Sequence, residues 1–272
     1  VFLMATLSFL DRYLTPKLAI PRKVELGSGI FVAGAILAMW FLASYTGYAS
    51  KDFLPSPSDV WSSFVEKVSN GSLKKHIGVS LKEIYLGFFL SSIIAVPIGI
   101  LMGGFKIVQA ALEPVVNFMR YLPVTSMIPL LILWIGIGLE EKVAVIFIGT
   151  FFQQIVMVSD VARNVQADLF NVSYTLGASR GQIVTRVLVP ATLSGVMDTL
   201  RVTMGWAWTF LVVAELVAAS SGLGYMILQS MRGLDPAGIF VGIFVIGFLG
   251  LITDQFFKWV KRILLPWENV GK

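Results

Sequence analysis

Charged and hydrogen-bonding side chains set inside long apolar runs are the groups in this 272-residue sequence that could do chemistry. Arg120 opens one such run, Arg201 lies near the start of another, and Glu215 falls late in that second run. Thr125, Ser126, Gln153, Gln154, Thr203, Trp206 and Thr209 add neutral donors and acceptors. A small anion crossing a low-dielectric path needs a compensating positive charge or a ring of donors, so the set fits a passage for an anion. Each member also has a plainer use. Arg120 suits a headgroup anchor, Arg201 a pair with Asp198 three residues away, and the two glutamines a bond between helices. Met127, Met204 and Phe210 suit a gate in the same passage or ordinary packing. Glu215 would repel an anion, so its expected role is structural or in gating, bonding backbone amides at the Ser220-Ser221-Gly222 turn that follows.

Other chemistry is excluded by what the chain lacks. It has no cysteine and a single histidine, His76, which removes thiol catalysis, Cys-based zinc sites and multi-His metal sites. His76 lies outside the long apolar runs and there is no H-E-x-x-H, so an intramembrane protease cannot be assembled. There is no G-x-x-x-x-G-K-[ST] loop, so the chain holds no ATP of its own. No catalytic residue, metal or cofactor is expected. The charge balance, 21 Lys and Arg against 16 Asp and Glu, would suggest nucleic acid in a soluble protein. With 56% hydrophobic and 14% charged residues it instead describes charges held at one face of a membrane.

The elements that must position these groups are membrane-spanning helices, each needing about 20 mostly apolar residues. Residues 29–48, 84–105, 121–139, 143–159 and 237–253 contain no charge. A sixth run, 194–219, carries Asp198, Arg201 and Glu215 within a helical pattern. The expected fold is an all-α integral membrane protein of about six transmembrane helices. Residues 1–28 form an N-terminal cytoplasmic, interfacial segment, 29–257 the transmembrane domain and 258–272 a cytoplasmic tail. Pro97, Pro123 and Pro129 are expected to kink their helices. Gly99 and Gly103 make a G-x-x-x-G step for close packing within the chain.

Placing both termini inside puts 14 of the 21 Lys and Arg in inner segments, as the positive-inside rule requires. The outer segment 49–83 then begins with the turn Leu54-Pro55-Ser56-Pro57. It continues as an amphipathic helix capped by Ser58 or Asp59, with Val60, Phe64, Val65 and Val68 on one face. That helix serves either as a docking shelf for an external partner or as a lid on the bundle.

Between the fourth and fifth spans lies an inner loop, 160–194. Leu169, Val172, Ser173 and Leu176 have helical spacing, Gly177-Ala178-Ser179 makes a turn, and a second short helix is ended by Pro190. Such a pair either fits a groove on another protein, passing motion to the flanking spans, or packs as an interfacial helix pair on lipid headgroups.

Gly177 followed thirteen residues later by Pro190 resembles the E-A-A loop of ABC importer permeases. The text Thr175-Leu176-Gly177-Ala178-Ser179-Arg180 through Arg186-Val187-Leu188-Val189-Pro190-Ala191 is similar to the taurine, aliphatic sulfonate, nitrate and bicarbonate branch. The chain departs from that pattern with Asn171-Val172-Ser173 at E-A-A and with Val187 and Val189 for Ile and Leu. Leu54-Pro55-Ser56-Pro57, Arg120-Tyr121-Leu122-Pro123, Ile128-Pro129-Leu130, Trp134-Ile135-Gly136-Ile137-Gly138, Ala214-Glu215, Ser220-Ser221-Gly222-Leu223-Gly224-Tyr225 and Pro266-Trp267 carry the resemblance over residues 24–268.

The resemblance implies a type I importer permease of the bacterial inner membrane with cytoplasmic coupling helices. It would work as a homodimer with two cytoplasmic ABC ATPase subunits, which bind ATP and Mg, and a periplasmic or lipid-anchored substrate-binding protein. It further implies that Asn171, Val172, Ser173, Leu176, Gly177, Ala178, Ser179, Arg180, Val187 and Pro190 belong to the ATPase-coupling surface. The cargo would be taurine or another sulfonate, with nitrate or bicarbonate next. An ion-gradient-driven secondary transporter is the alternative. It would want inverted repeats, and the large helical inner loop would have no task in it.

Overall fold

The computed structural model describes residues 21–46, 50 and 53–269. Among them there is no strand. The helices are α1 (Arg22–Tyr45), α2 (Pro57–Ser69), α3 (Ser72–Gly104), α4 (Lys106–Arg120), α5 (Ile128–Ile135), α6 (Leu139–Arg163), α7 (Ala167–Thr175), α8 (Arg180–Ile183), α9 (Val189–Ala218), α10 (Leu223–Arg232) and α11 (Pro236–Leu264). A 3₁₀ turn, Val124–Met127, precedes α5, and a π turn, Val184–Leu188, joins α8 to α9. Five helices are long and apolar enough to cross a membrane, and α4 with Val124–Ile135, bent by 77°, is long and apolar enough as a pair to make a sixth span or a re-entrant loop.

The chain forms two units, one up to Val60 and one from Trp61. In the first, Trp40 donates its indole N–H to the Pro55 carbonyl at 3.0 Å. The cap of α2 is Ser56 rather than Ser58 or Asp59. Its hydroxyl accepts from the Asp59 amide while the Asp59 carboxylate accepts from the Ser56 amide, a reciprocal capping box with Pro57 at the first helical position. Of the interfacial segment expected over 1–28, residues 1–20 lie outside the described residues, and 22–28 are the first two turns of α1.

In the second unit α3 and α6 make the most extensive contact. A methyl group added at Gly99 would sit 2.7 Å from the Val158 Cβ, and one at Gly103 would meet the Ser159 carbonyl. Their missing side chains therefore let the two backbones approach, the intramolecular use expected of the step. Apolar clusters fill the spaces on either side, Ile100, Val158, Leu188 and Val196 in one and Ile128, Leu131, Val145 and Ala214 in another.

Several boundaries differ from the sequence reading. The second spanning helix starts at Ser72, so 72–83 are three of its turns and not outer loop. α11 runs to Leu264, carrying Lys258, Lys261 and Arg262 as helix and not tail. Pro97 lies inside α3, but Pro123 stands in the break before the 3₁₀ turn and Pro129 in the first turn of α5, where a missing N–H costs nothing.

Pro190 does not end the second short helix. It sits at the start of α9, and the turn before it widens to π, with the Val189 N–H bonding the Val184 carbonyl. Proline at 190 has no N–H for the carbonyl four residues back and its ring crowds that carbonyl, so a wider turn keeps the helix continuous from Arg180 to Ala218.

Candidate functional site

Where the bent pair α4/α5 meets α6 and α9, a cavity of about 210 Å³ is lined by Arg120, Thr125, Gln153, Trp206 and Phe210 together with Met119, Pro123, Gly149 and Phe152. The Arg120 guanidinium donates from Nη2 to the Tyr121 hydroxyl at 3.1 Å and lies 4.9 Å from the centre of that ring. Its Nε is buried and has no hydrogen-bond partner. Arg120 is the one charged group in the lining, which holds no carboxylate. A fixed cation with a spare donor, flanked by an amide and a hydroxyl and walled by aromatic rings, is chemically suited to a small anion with an apolar part.

The cavity joins five of the residues expected in a passage, and the others fall elsewhere. Gln154 is fully buried and ties three helices together. Its Oε1 accepts from Ser91 at 3.2 Å, and its amide donates to Ser92 at 3.1 Å and Thr203 at 3.3 Å. Met204 is buried in the core of α9. Ser126 bonds the Pro123 carbonyl and Met127 closes the 3₁₀ turn, both outside the cavity lining. Thr209 borders a separate apolar cleft with Trp208, Ile227 and Ile243.

Arg201 does not pair with Asp198. It meets Asp254 at 3.1 Å, while Asp198 meets Lys261 at 2.7 Å. The spacing of three does put both on one face of α9. That face packs on α11, whose Asp254, Lys258 and Lys261 offer opposite charges at better reach.

Sequence reasoning missed Gly149 and Phe152. A methyl group at 149 would collide with the Phe210 ring, so Gly149 is what allows Phe210 to lie across α6 at the cavity. It also missed a buried polar assembly at the end of the unit where α3 begins. Glu215 accepts from the Ser80 hydroxyl on Oε1 and from the Gly224 amide on Oε2, both at 2.5 Å. The Leu223 amide donates to Ser80 at 2.8 Å and the Gly222 amide to His76 Nδ1 at 3.1 Å. Glu215, expected to bond amides at the Ser220-Ser221-Gly222 turn, bonds a single amide just past it, that of Gly224, and the Gly222 amide goes to His76 instead; a side chain at Gly222, whose φ is +115°, would collide with the Glu215 carboxylate.

Beside it, Lys142 Nζ donates to the Gly138 carbonyl at 2.9 Å and the Ala218 carbonyl at 3.3 Å, tying the start of α6 to the end of α9. Glu141 lies 3.5 Å from the same ammonium, close enough to pair but without hydrogen-bond geometry. Glu83 is buried with them, one oxygen unpartnered. The available signal was His76, Ser80, Glu83 and Gly87 at steps of four, three and four, a single stripe of α3.

At the opposite end α7 closes in a Schellman motif. The Ala178 amide bonds the Ser173 carbonyl and the Gly177 amide the Tyr174 carbonyl, both at 3.0 Å, with Gly177 at φ +78°. Ser179 and Gln182 then form a capping box for α8, which begins at Arg180. Asn171 and Val172 are exposed and Ser173 bonds back to Leu169; Val172 and Leu176 present 57% and 82% of their surface. Val187 is half-buried beside Leu188, and Pro190 is exposed. A cavity of about 360 Å³ separates Phe170 and Tyr174 of α7 from Ile183, Leu188 and the Gly104 end of α3.

The family described as "Binding-protein-dependent transport system inner membrane component" matches residues 95–264. A probable ABC transporter permease protein of Brucella abortus is 36% identical over 91% of this chain and 98% of its own length. The putative aliphatic sulfonates transport permease protein SsuC of Bacillus subtilis is 34% identical over 89% of this chain and 87% of its own. The taurine transport system permease protein TauC of Escherichia coli is 29% identical over 91% of each. A chain of the inward-facing MetNI methionine ABC transporter superimposes with a TM-score of 0.59 at 20% identity, over 72% of this chain and 98% of that one, a likeness of fold. These matches do not favour a secondary transporter. The chain belongs to the binding-protein-dependent inner membrane components: it is the membrane-spanning permease subunit of an ABC importer, not itself catalytic, whose ATPase is a separate subunit.

Proposed function

We propose that this permease imports a small sulfonate, taurine or a related compound, with nitrate or bicarbonate as the next cargo class. The observation that carries the reading is Arg120 in the α4/α6/α9 cavity, its Nε buried without a partner and no carboxylate in the lining. The relatives named for aliphatic sulfonates and taurine support it. Val202, Trp206 and Thr209 form an exposed stripe on α9 beside that cavity, a face suited to a second copy of the chain, so that the passage lies between two permeases.

In this reading both termini and α7 are cytoplasmic, and the end bearing His76 and Glu215 faces outward. Two ATPase subunits bind ATP and Mg and receive the α7–α8 surface, including Asn171, Val172, Leu176 and Arg180. A periplasmic or lipid-anchored binding protein delivers cargo to the outer face. The permease itself binds membrane lipid and no nucleic acid, metal or cofactor.

The test is ATP-driven uptake of labelled taurine, an alkanesulfonate and nitrate by the complete transporter in proteoliposomes. Arg120→Gln should lower uptake by about tenfold or more, the scale of one lost charge-assisted hydrogen bond, with assembly unchanged. Unaltered uptake kinetics would return Arg120 to a headgroup anchor.

A further inference from the structure

Three carboxyl groups and one ammonium are buried together where α3, α6 and α9 meet, and their charges do not balance. Glu141 and Glu215 are fully buried, Lys142 is 3% exposed and Glu83 4%. His76 supplies no second positive charge. Its Nδ1 accepts the Gly222 amide and so carries no proton, which makes the ring neutral. Lys82, the neighbour of Glu83 on α3, is exposed. From α10 the site receives the Leu223 and Gly224 amides and the Tyr225 ring set against His76.

The donors in this site are unequally shared. Glu215 accepts the Ser80 hydroxyl on one oxygen and the Gly224 amide on the other, the surroundings of an ionised carboxylate. Lys142 spends its ammonium on the Gly138 and Ala218 carbonyls and lies 3.5 Å from Glu141. Glu83 is left with Oε2 buried and without a hydrogen-bond partner. Its carboxyl is within hydrogen-bonding reach of Glu215. The helix explains why: Ser80 and Glu83, three residues apart, share one face of α3, so Glu83 stands beside the carboxylate that Ser80 bonds. Two carboxyl groups at that separation stay together only if one of them holds a proton.

We propose that Glu83 is a buried proton-binding site: its carboxyl is neutral in the folded permease and donates its proton to the Glu215 carboxylate, fastening α3 to α9. The proton is the donor that the site otherwise lacks. With it in place, the spare oxygen of Glu83 is a carbonyl, far cheaper to bury unpartnered than a carboxylate. Without it, Glu83 and Glu215 are two anions in a dry space with Glu141 nearby, and Lys142 alone to offset all three. The inference uses contacts within the unit from Trp61 and is independent of the cargo and of which end faces outward.

The experiment uses the complete transporter in detergent and reads two quantities, the temperature at which the permease chain precipitates and the infrared carbonyl stretch of protonated carboxylic acids. Glu83→Gln keeps a donor for Glu215 in its amide, so it should melt at or above the wild type at neutral pH, with Glu83→Ala several degrees lower. The folded chain holds a proton that the unfolded chain releases, so this contribution to stability is lost as pH rises. The Gln variant should therefore outlast the wild type by a margin that grows in alkaline solution. The wild-type spectrum should contain a protonated-acid band that is missing in Glu83→Gln and present in Glu141→Gln.

A Gln variant that melts as low as the Ala variant would show that the site needs an anion at position 83, and would overturn the proposal. An unchanged infrared band in Glu83→Gln, or its loss in Glu141→Gln, would put the proton on another carboxyl and overturn it equally. So would the same pH dependence of melting in the wild type and in Glu83→Gln.

Discussion

The two ends of the helical unit from Trp61 are fastened by opposite means. At the end that faces outward in the proposed orientation, Glu215, Ser80, His76 and Lys142 are buried, and each spends its hydrogen bonds on backbone amides, carbonyls or one another across α3, α6, α9 and α10. At the opposite end, inward in the proposed orientation, the links are partly solvated ion pairs, Arg201 to Asp254 and Asp198 to Lys261, beside an exposed α7, a π turn and a cavity. A buried polar network holds completely or fails, because a stranded donor has no water to turn to. A solvated pair can part and re-form at little cost. The difference teaches where this permease is built to yield. In the orientation proposed above, motion supplied by the ATPase subunits enters at the loosely tied end, while the buried clamp keeps the spans in register.

Breaking the outer clamp should have the largest effect. Glu215→Ala strands the Ser80 hydroxyl and the Gly224 amide in a dry site and should cost about 3 kcal/mol or more, read as a lower melting temperature in detergent. Glu215→Gln keeps one acceptor and should lose less. Equal melting of wild type and both variants would show that the outer end is not held by this carboxylate.

At the inner end, Gly177→Val forces a β-branched residue to φ +78°, worth roughly 1–2 kcal/mol locally. Its main consequence should be functional: ATP hydrolysis continues while uptake per ATP falls, because α7 and α8 no longer meet at a fixed angle. Normal uptake per ATP would remove α7–α8 from the coupling path.

The smallest change is expected for Lys261→Ala. Asp198 is more than half exposed, so the pair should contribute below about 1 kcal/mol, and less at high salt. A loss as large as that of Glu215→Ala would erase the contrast between the ends.

Much of this architecture was legible beforehand. The bent pair was legible only in part: Pro123 and Pro129 announced a bend, but Lys106–Arg120, with Lys106, Glu113 and Arg120 in it, does not read as half of a span. Only the packing of α5 on α6 and α9 reveals the 77° turn. Glu83, Glu141 and Lys142 border uncharged runs in the sequence, and their burial depends on neighbours that are distant along the chain. The α7–α8 pair was legible because its signals are local: a glycine at a left-handed cap, a capping box and helical spacing of exposed apolar residues.

By itself the sequence determined that the chain crosses a membrane as helices, and about how many times. An unpaired peptide group in hydrocarbon costs several kcal/mol, so each long uncharged run must satisfy its own backbone. It also excluded thiol chemistry and multi-His metal sites, because the chain has no cysteine and a single histidine. Tertiary structure alone decided that Gln153 opens onto a cavity while its neighbour Gln154 is locked among Ser91, Ser92 and Thr203, and that Arg201 takes Asp254 over Asp198. Successive helical residues point about 100° apart. Which of them meets a partner is fixed by how each helix is rotated against its neighbours, a quantity that spacing along one chain does not contain.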